Sequence, residues 1–331
     1  MPHEFSIIDQ YFKPLSQPLA QGEIAIGDDG ALLNQHANCQ LVVVTDTMVS
    51  GVHYPEQTSA FDIGWKLLAV NLSDLAAMGA QPKGYSLAVT LPAVDESWLR
   101  GFTDGLQALA SEFHLPLIGG DTTRGAQTVL TLSALGEVPT GLGILRNGAQ
   151  IGDLIAVSGV LGSGGLGLEW VLSSQQDQMA SEEVLKLNRP QPRVALGQAL
   201  RQAGCVHSMI DISDGLVADI GHICEASACA AVIGLQQLPM SPAVKAYVEQ
   251  QGYQLPLAAG DDYELCFTFS PEKLKEIHTT AQALGEQVTV IGQIIPADPN
   301  ESVWIVPDLN QSPTAPKPAS DYLLKAGFQH F

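Results

Sequence analysis

Basic residues are scarce in this 331-residue chain: 15 Lys and Arg stand against 35 Asp and Glu, a formal net charge of -20. No basic run occurs anywhere, so neither nucleic acid nor an anionic membrane is expected as a partner, since both require clustered Lys and Arg. Apolar runs of membrane-spanning length are also missing, and the segment Met1 to Leu19 has no uninterrupted apolar core of signal-peptide type. A cytoplasmic location is the resulting expectation. Cysteine is sparse as well. Cys39, Cys205, Cys224, Cys229 and Cys266 are odd in number and contain no C-x-x-C pair, which excludes a zinc knuckle and points to buried, reduced thiols.

What the chain does have is length, apolar residues and aspartate beside glycine. With 46% hydrophobic residues it can form two domains that each bury a core. In the first half, Leu41 to Thr45 reads as a strand delivering Asp46 to its end, and Ala60 to Gly79 as a helix interrupted by Asn71 and Asp74. Tyr85 to Leu91 reads as a strand, Trp98 to Phe113 as a helix, and Leu115 to Ile118 and Thr128 to Val138 as further strands. The glycine-rich, aperiodic stretch Pro139 to Gly152 suits a domain boundary, giving domains at 1–140 and 150–331. The second half predicts strands at Leu154 to Val157, Met209 to Ile212, Glu264 to Phe269 and Val288 to Ile295. Helices are expected at Arg193 to Gly204, Leu216 to Cys229 and after Pro271.

Four short motifs place Asp at strand ends or turns: Gly27-Asp28-Asp29, Thr45-Asp46-Thr47, Gly119-Gly120-Asp121-Thr122-Thr123 and Asp211-Ile212-Ser213-Asp214-Gly215. Asp74 is a fifth carboxylate. Each alone is ordinary material for a turn or helix cap. Together they are hard oxygen donors of the kind that share Mg²⁺ with substrate phosphates. The run Gly159 to Gly167 lacks the Gly-Lys-Ser/Thr ending of a phosphate loop and is read as a tight turn before a helix, although its N–H groups could still meet a phosphate. His53, on a loop after Asp46, and Arg146, near the boundary, are the remaining candidates, the latter for a phosphate.

In this order the motifs resemble the thiamine-monophosphate kinase family, of the superfamily that includes aminoimidazole ribonucleotide synthetase and selenophosphate synthetase. The resemblance runs from Glu4-Phe5-Ser6 through Asn71 to Ala80 and Gly260-Asp261-Asp262-Tyr263-Glu264-Leu265 to His330-Phe331. It implies an α/β (α+β) fold in two domains, an N-terminal domain binding ATP and Mg²⁺ whose sheet pairs across a homodimer, and a C-terminal α+β domain. It implies several Mg²⁺ ions held by Asp29, Thr45, Asp46, Asp74, Asp121, Asp211 and Asp214, with Asp46, Asp74 and Asp121 serving catalysis. ATP contacts then fall on Gly120, Asp121, Arg146 and Ser213, and contacts to thiamine monophosphate on His53 and Asp261. Three positions depart from the family pattern: Val44 replaces a hydroxyl residue, Asp261 a glutamate and Lys325 an aromatic. Stacking on the substrate then passes to Tyr322 or Phe328. The competing expectations are another ATP-dependent synthetase of the superfamily and a non-catalytic acidic module that binds divalent metal.

Overall fold

The computed structural model describes residues 4–27, 30–173, 178–310 and 316–323. Its contacts divide the chain into two compact units: Met1–Leu75 with Ala80–Leu142, and Ala76–Gly79 with Gly143–Phe331.

The first unit opens with α1 (Glu4–Ile7), followed by β1 (Cys39–Val49), α2 (Ala60–Ala77), β2 (Gln81–Leu91), α3 (Glu96–Glu112), β3 (Leu117–Arg124) and β4 (Val129–Pro139). Among the described residues the strands form one sheet in the order β1-β4-β2-β3, parallel only between β2 and β3. The sheet face carrying Leu87, Val89, Leu130 and Leu132 is buried, as are Leu67, Leu68 and Leu72 of α2. α3 begins where the Asp95 carboxylate accepts the N–H groups of Ser97 (2.8 Å) and Trp98 (3.0 Å), two of the donors that a helix start leaves open. Its Leu99, Phe102, Leu106 and Leu109 recur at helical spacing and are fully buried. α2 and α3 cross backbone to backbone: a Cβ at Gly64 would run into the Phe102 carbonyl, and one at Gly105 into that of Phe61.

Two strands are longer than the sequence suggests, and both carry candidate residues. Asp46 lies inside β1, because Asp46 to Val49 continue the ladder against Val129 to Leu132. Gly119 to Asp121 lie inside β3, where Gly120 is accepted because the Leu87 carbonyl of β2 occupies the space a Cβ would need.

The second unit contains β5 (Leu154–Ser158), α4 (Ser163–Leu172), α5 (Glu182–Asn188), α6 (Val194–Ala203), β6 (Ser208–Asp211), α7 (Leu216–Ser227), β7 (Cys229–Gly234), α8 (Pro242–Gln251), α9 (Gln254–Ala258), β8 (Leu265–Phe269), α10 (Leu274–Ala283), β9 (Val288–Pro296), β10 (Val303–Val306) and β11 (Lys317–Pro318). Its described strands run in the order β11-β10-β7-β9-β5-β8-β6, antiparallel except between β10 and β7. The core combines Ile155, Val157 and Ile291 of the sheet with Leu216, Ile220 and Ile223, the apolar stripe of α7. This is the α+β domain expected. Half of the presumed glycine turn is helical, since α4 starts at Ser163 behind Gly162, a left-handed residue with φ 82°. The five cysteines are free, with Cys205, Cys224, Cys229 and Cys266 buried. No helix among the described residues is long and apolar enough to cross a membrane.

Candidate active site

In the first unit, Thr45 and Asp46 sit on the edge strand β1 and point to opposite faces. Thr45 shares a hydrogen bond with Ser133 (2.7 Å) and Thr47 one with Thr131 (2.8 Å) on the half-exposed face. Half-buried Asp46 is in register with Leu132, which pairs in turn with Leu87 and Gly120; Thr47 lies in the row of Thr131, Ala88 and Asp121. Asp46 and Asp121 therefore occupy the two edges of the sheet and opposite faces of it. Three strand spacings separate them, about 14 Å. Asp74 is half-buried on α2, one turn beyond Asn71. The Asn71 side chain is fully buried; it donates to the Leu67 carbonyl (2.9 Å), while its Oδ1 has no hydrogen-bond partner among the described residues. On the loop after β1, His53 accepts the Val49 N–H at Nδ1 (2.9 Å), which fixes the proton of its neutral ring on Nε2. Asp29 lies outside the described residues.

In the second unit, Asp211 closes β6, and the turn Ile212 to Gly215 leads into α7. A residue absent from the sequence expectations shapes this turn. Asp219, 2% exposed, accepts the N–H groups of Ser213 (3.1 Å), Asp214 (3.2 Å) and Gly215 (3.1 Å) through one carboxylate oxygen. Burial, with Asp211 and Asp214 close by, pushes its carboxyl up to about 8, against the pull of the Gly215 and Asp214 N–H groups. Ligand atoms of Asp214, Asp219 and His222 lie within 4.8 Å of one another. Its only trace in the sequence is its place four residues after Gly215, on the first turn of α7.

A second strand of chain is laced to this turn: Asp261 N–H donates to the Ser213 carbonyl (3.0 Å), Tyr263 N–H to that of Ile212 (2.8 Å), and Ile212 N–H to that of Glu264 (2.8 Å). Gly260 (φ 72°), Asp261 (φ 59°) and Tyr263 (φ 50°) are all left-handed, and a Cβ on Gly260 would strike the Ser213 carbonyl. Arg146 is exposed; the Leu145 carbonyl beside it accepts the Met209 N–H of β6 (3.0 Å), and its own carbonyl accepts from Ser227 Oγ (3.4 Å). Asp211, Ser213, Asp214 and Asp261 are thus gathered, with the Arg146 backbone alongside β6. Tyr322 is not: it packs on the core at the β10–β11 side, across the sheet from β6. Phe328 lies outside the described residues.

Two N–H groups of the glycine run are already engaged by a side chain. Gly162 (2.7 Å) and Gly164 (3.2 Å) donate to the Asp262 carboxylate, which takes the place a phosphate would have. Burial pushes this carboxyl up to about 7, the two N–H bonds opposing and Glu264 and Asp261 adding to the rise. Glu264 turns the other way, receiving Arg193 Nε (2.7 Å) and Nη2 (2.6 Å) and the Ser158 hydroxyl (2.5 Å).

The donors fit Mg²⁺. Asp46, Asp74 and Asp121 of the first unit and Asp211 and Asp214 of the second offer hard oxygens, and at Asp219 the neighbouring carboxylates that add to the effect of burial are what a divalent cation would offset.

Two units of this make, each a sheet with helices and with aspartates carried on strands and turns, fall in the class of AIR synthase related proteins. The N-terminal domain of that class matches residues 27–138 and its C-terminal domain residues 150–305. Within the class, the chain belongs to the thiamine-monophosphate kinase family. It is 44% identical over 294 residues to the thiamine-monophosphate kinase of Haemophilus influenzae, covering 88% of this chain and 89% of that protein. With the Escherichia coli K12 kinase it shares 44% over 295 residues, covering 88% and 90%. The crystal structure of thiamine-monophosphate kinase from Stenotrophomonas maltophilia K279a superposes with a TM-score of 0.83 at 42% identity, covering 92% of this chain and 97% of that one. AaThiL complexed with AMPPCP and TMP gives 0.76 at 27% identity, covering 99% and 97%.

Proposed function

We propose that this chain is a cytoplasmic kinase of thiamine biosynthesis that transfers the γ-phosphoryl group of ATP to the phosphate of thiamine monophosphate, giving ADP and thiamine diphosphate. The observation that carries this reading is the junction of two turns. Ser213, assigned to the nucleotide, and Asp261, assigned to the acceptor, are joined by a single hydrogen bond of 3.0 Å, and phosphoryl transfer requires donor and acceptor side by side.

The acceptor is a phosphate whose second pKa of about 6 leaves it ionised at neutral pH, so no residue has to act as general base. The barrier is electrostatic: a dianion must approach a polyphosphate. Asp46, Asp74 and Asp121 would hold Mg²⁺ at the nucleotide phosphates, with Thr45 alongside, and Asp29, Asp211 and Asp214 would hold it toward the acceptor. When bound, Mg²⁺ supplies charge neutralisation and alignment for direct in-line transfer. Gly120 lets the nucleotide approach the β3 backbone, Arg146 meets a phosphate, and His53 presents Nε2–H to the substrate. Of the two stacking candidates, Tyr322 is held at the β10–β11 edge of the sheet, far from Asp261, so stacking on the substrate ring would fall to Phe328.

A homodimer belongs to the proposal. Among the described residues β1 and β3 are the edges of the first unit's sheet. Sheets from two copies would pair through these edges, continuing the strand ladder from one chain to the other.

The test is incubation of the purified chain with Mg²⁺, ATP and thiamine monophosphate, following thiamine diphosphate, with EDTA and free thiamine as controls. Product that requires both metal and the monophosphate is expected. ATP binding without product would redirect the reading to a synthetase of the same class, and metal binding without ATP binding to a non-catalytic module. A phosphorylated protein trapped in the absence of acceptor would replace direct transfer with a covalent route.

A further inference from the structure

Asp262 is a half-buried carboxylate with no part in the chemistry above. It reaches 100 residues back along the chain to the start of α4, where it accepts the Gly162 N–H at 2.7 Å; the Gly164 N–H follows at 3.2 Å. Those donors belong to the first turn of a helix, which has no partners of its own for them, and Gly162 offers no side-chain cap. The approach is close on both sides: a Cβ on Gly164 would meet the carbonyl of Asp261, and one on Gly165 the methyl of Ala259.

The two neighbours of Asp262 are strained. Asp261 (φ 59°) and Tyr263 (φ 50°) are both left-handed, a conformation that costs a residue with a Cβ of order 1–2 kcal/mol and persists only where the surroundings impose it. On one side the turn is tied by Asp261 N–H to Ser213 and Tyr263 N–H to Ile212. On the other the Asp262 carboxylate ties it to the start of α4. Loss of that tie weakens the hold on the turn and lets Asp261 shift toward φ below zero, swinging its side chain to a different direction.

We propose that Asp262 is a positioning residue for the acceptor substrate: by gripping the Gly162 and Gly164 N–H groups, it holds Asp261 in the left-handed conformation that presents its carboxylate to thiamine monophosphate. Gly162 and Gly164 of the glycine run are the receivers of that grip, so their N–H groups are not offered to a phosphate. The inference rests on the assignment of Asp261 to the acceptor.

Asp262→Asn in the full chain tests it. The amide keeps one acceptor oxygen but turns an NH₂ toward the second N–H. Steady-state kinetics with thiamine monophosphate and ATP varied separately should show KM for the monophosphate raised about tenfold and KM for ATP within twofold, in a protein that still melts cooperatively. Unchanged KM values, or both rising together, would overturn the proposal. Where the variant does not fold, Gly164→Ala presses on the Asp261 carbonyl without altering any charge and should give the same split; an unmoved monophosphate KM there overturns it equally. Asp261→Ala separates the two readings: if it leaves the acceptor KM unchanged, the assignment of Asp261 is wrong, whereas an acceptor KM raised by Asp261→Ala and untouched by Asp262→Asn removes only the positioning role.

Discussion

Arg193→Met should be among the most damaging single substitutions outside the hydrophobic cores. The guanidinium makes a two-pronged bond to Glu264 at 2.7 and 2.6 Å and a third to Glu286 at 2.9 Å. The side chains of Arg193 and Glu264 are 20% and 7% exposed, so the pair is largely out of water. Glu264 raises the Arg193 pKa despite the opposing effect of burial, the sign of a charge held by its partner. Removing one member of such a pair leaves the other buried and uncompensated, at a cost of about 3–5 kcal/mol. For a unit of this size, about 2–4 °C of Tm per kcal/mol places the transition about 10 °C lower. The cost lies in the orphaned carboxylate rather than in the lost attraction, so Arg193→Met combined with Glu264→Gln should recover more than half of the loss; glutamine still accepts the Ser158 hydroxyl. Differential scanning calorimetry of the wild type, both single variants and the double variant measures the coupling. A single-variant shift under 3 °C, or a double variant no better than Arg193→Met, would refute the reasoning.

Asp46→Asn and Asp74→Asn should each lower turnover by orders of magnitude with Tm within a few degrees of wild type; near-normal turnover in both would remove their role. Asp219→Ala leaves the buried Gly215 N–H and the half-buried Ser213 and Asp214 N–H groups open, at about 1–3 kcal/mol for each group that finds no water, and should raise KM for ATP through Ser213 as well as lower Tm. Burial alone would raise the Glu137 carboxyl, but the ring and N–H of His36, with Lys83, outweigh it and hold the group below its ordinary value of 4.5. A depressed carboxyl contributes stability above that value and loses it as pH falls, so Glu137→Gln should cost about 1 kcal/mol at pH 7 and nothing once the wild-type carboxyl is protonated, read from urea midpoints across pH.

The sequence carries the helices and strands wherever periodicity and punctuation agree. Asp95 before the Leu99–Leu109 stripe and Gly204 after α6 mark their helices as capping rules require. It is silent where punctuation is unusual. α7 ends on Ala228, left-handed at φ 52°, where glycine or asparagine is the ordinary signal, and β7 follows at once, so the boundary and the strand are both hidden. The candidate aspartates are legible because aspartate beside glycine is visible in any sequence. Asp219, Asp262 and Arg193 are not, because what distinguishes them is contact: three amides in one turn, two amides a hundred residues away, and a carboxylate just ahead of β8. For the same reason the glycine run shows its turn but not the side chain that fills it.

The backbone crossing of α2 and α3 at Gly64 and Gly105 has a consequence for how this chain can change over generations. Where main chain touches main chain, the gap between two helices does not depend on the volume of any side chain. Asp74 lies ten residues beyond Gly64 on α2, about 15 Å along the axis, and inherits its place from that contact. Leucines and phenylalanines around the crossing can be exchanged for one another, gaining or losing packing energy, while the carboxylate stays where it is. The chain can drift through many core compositions without retuning its chemistry, provided that those two glycines remain.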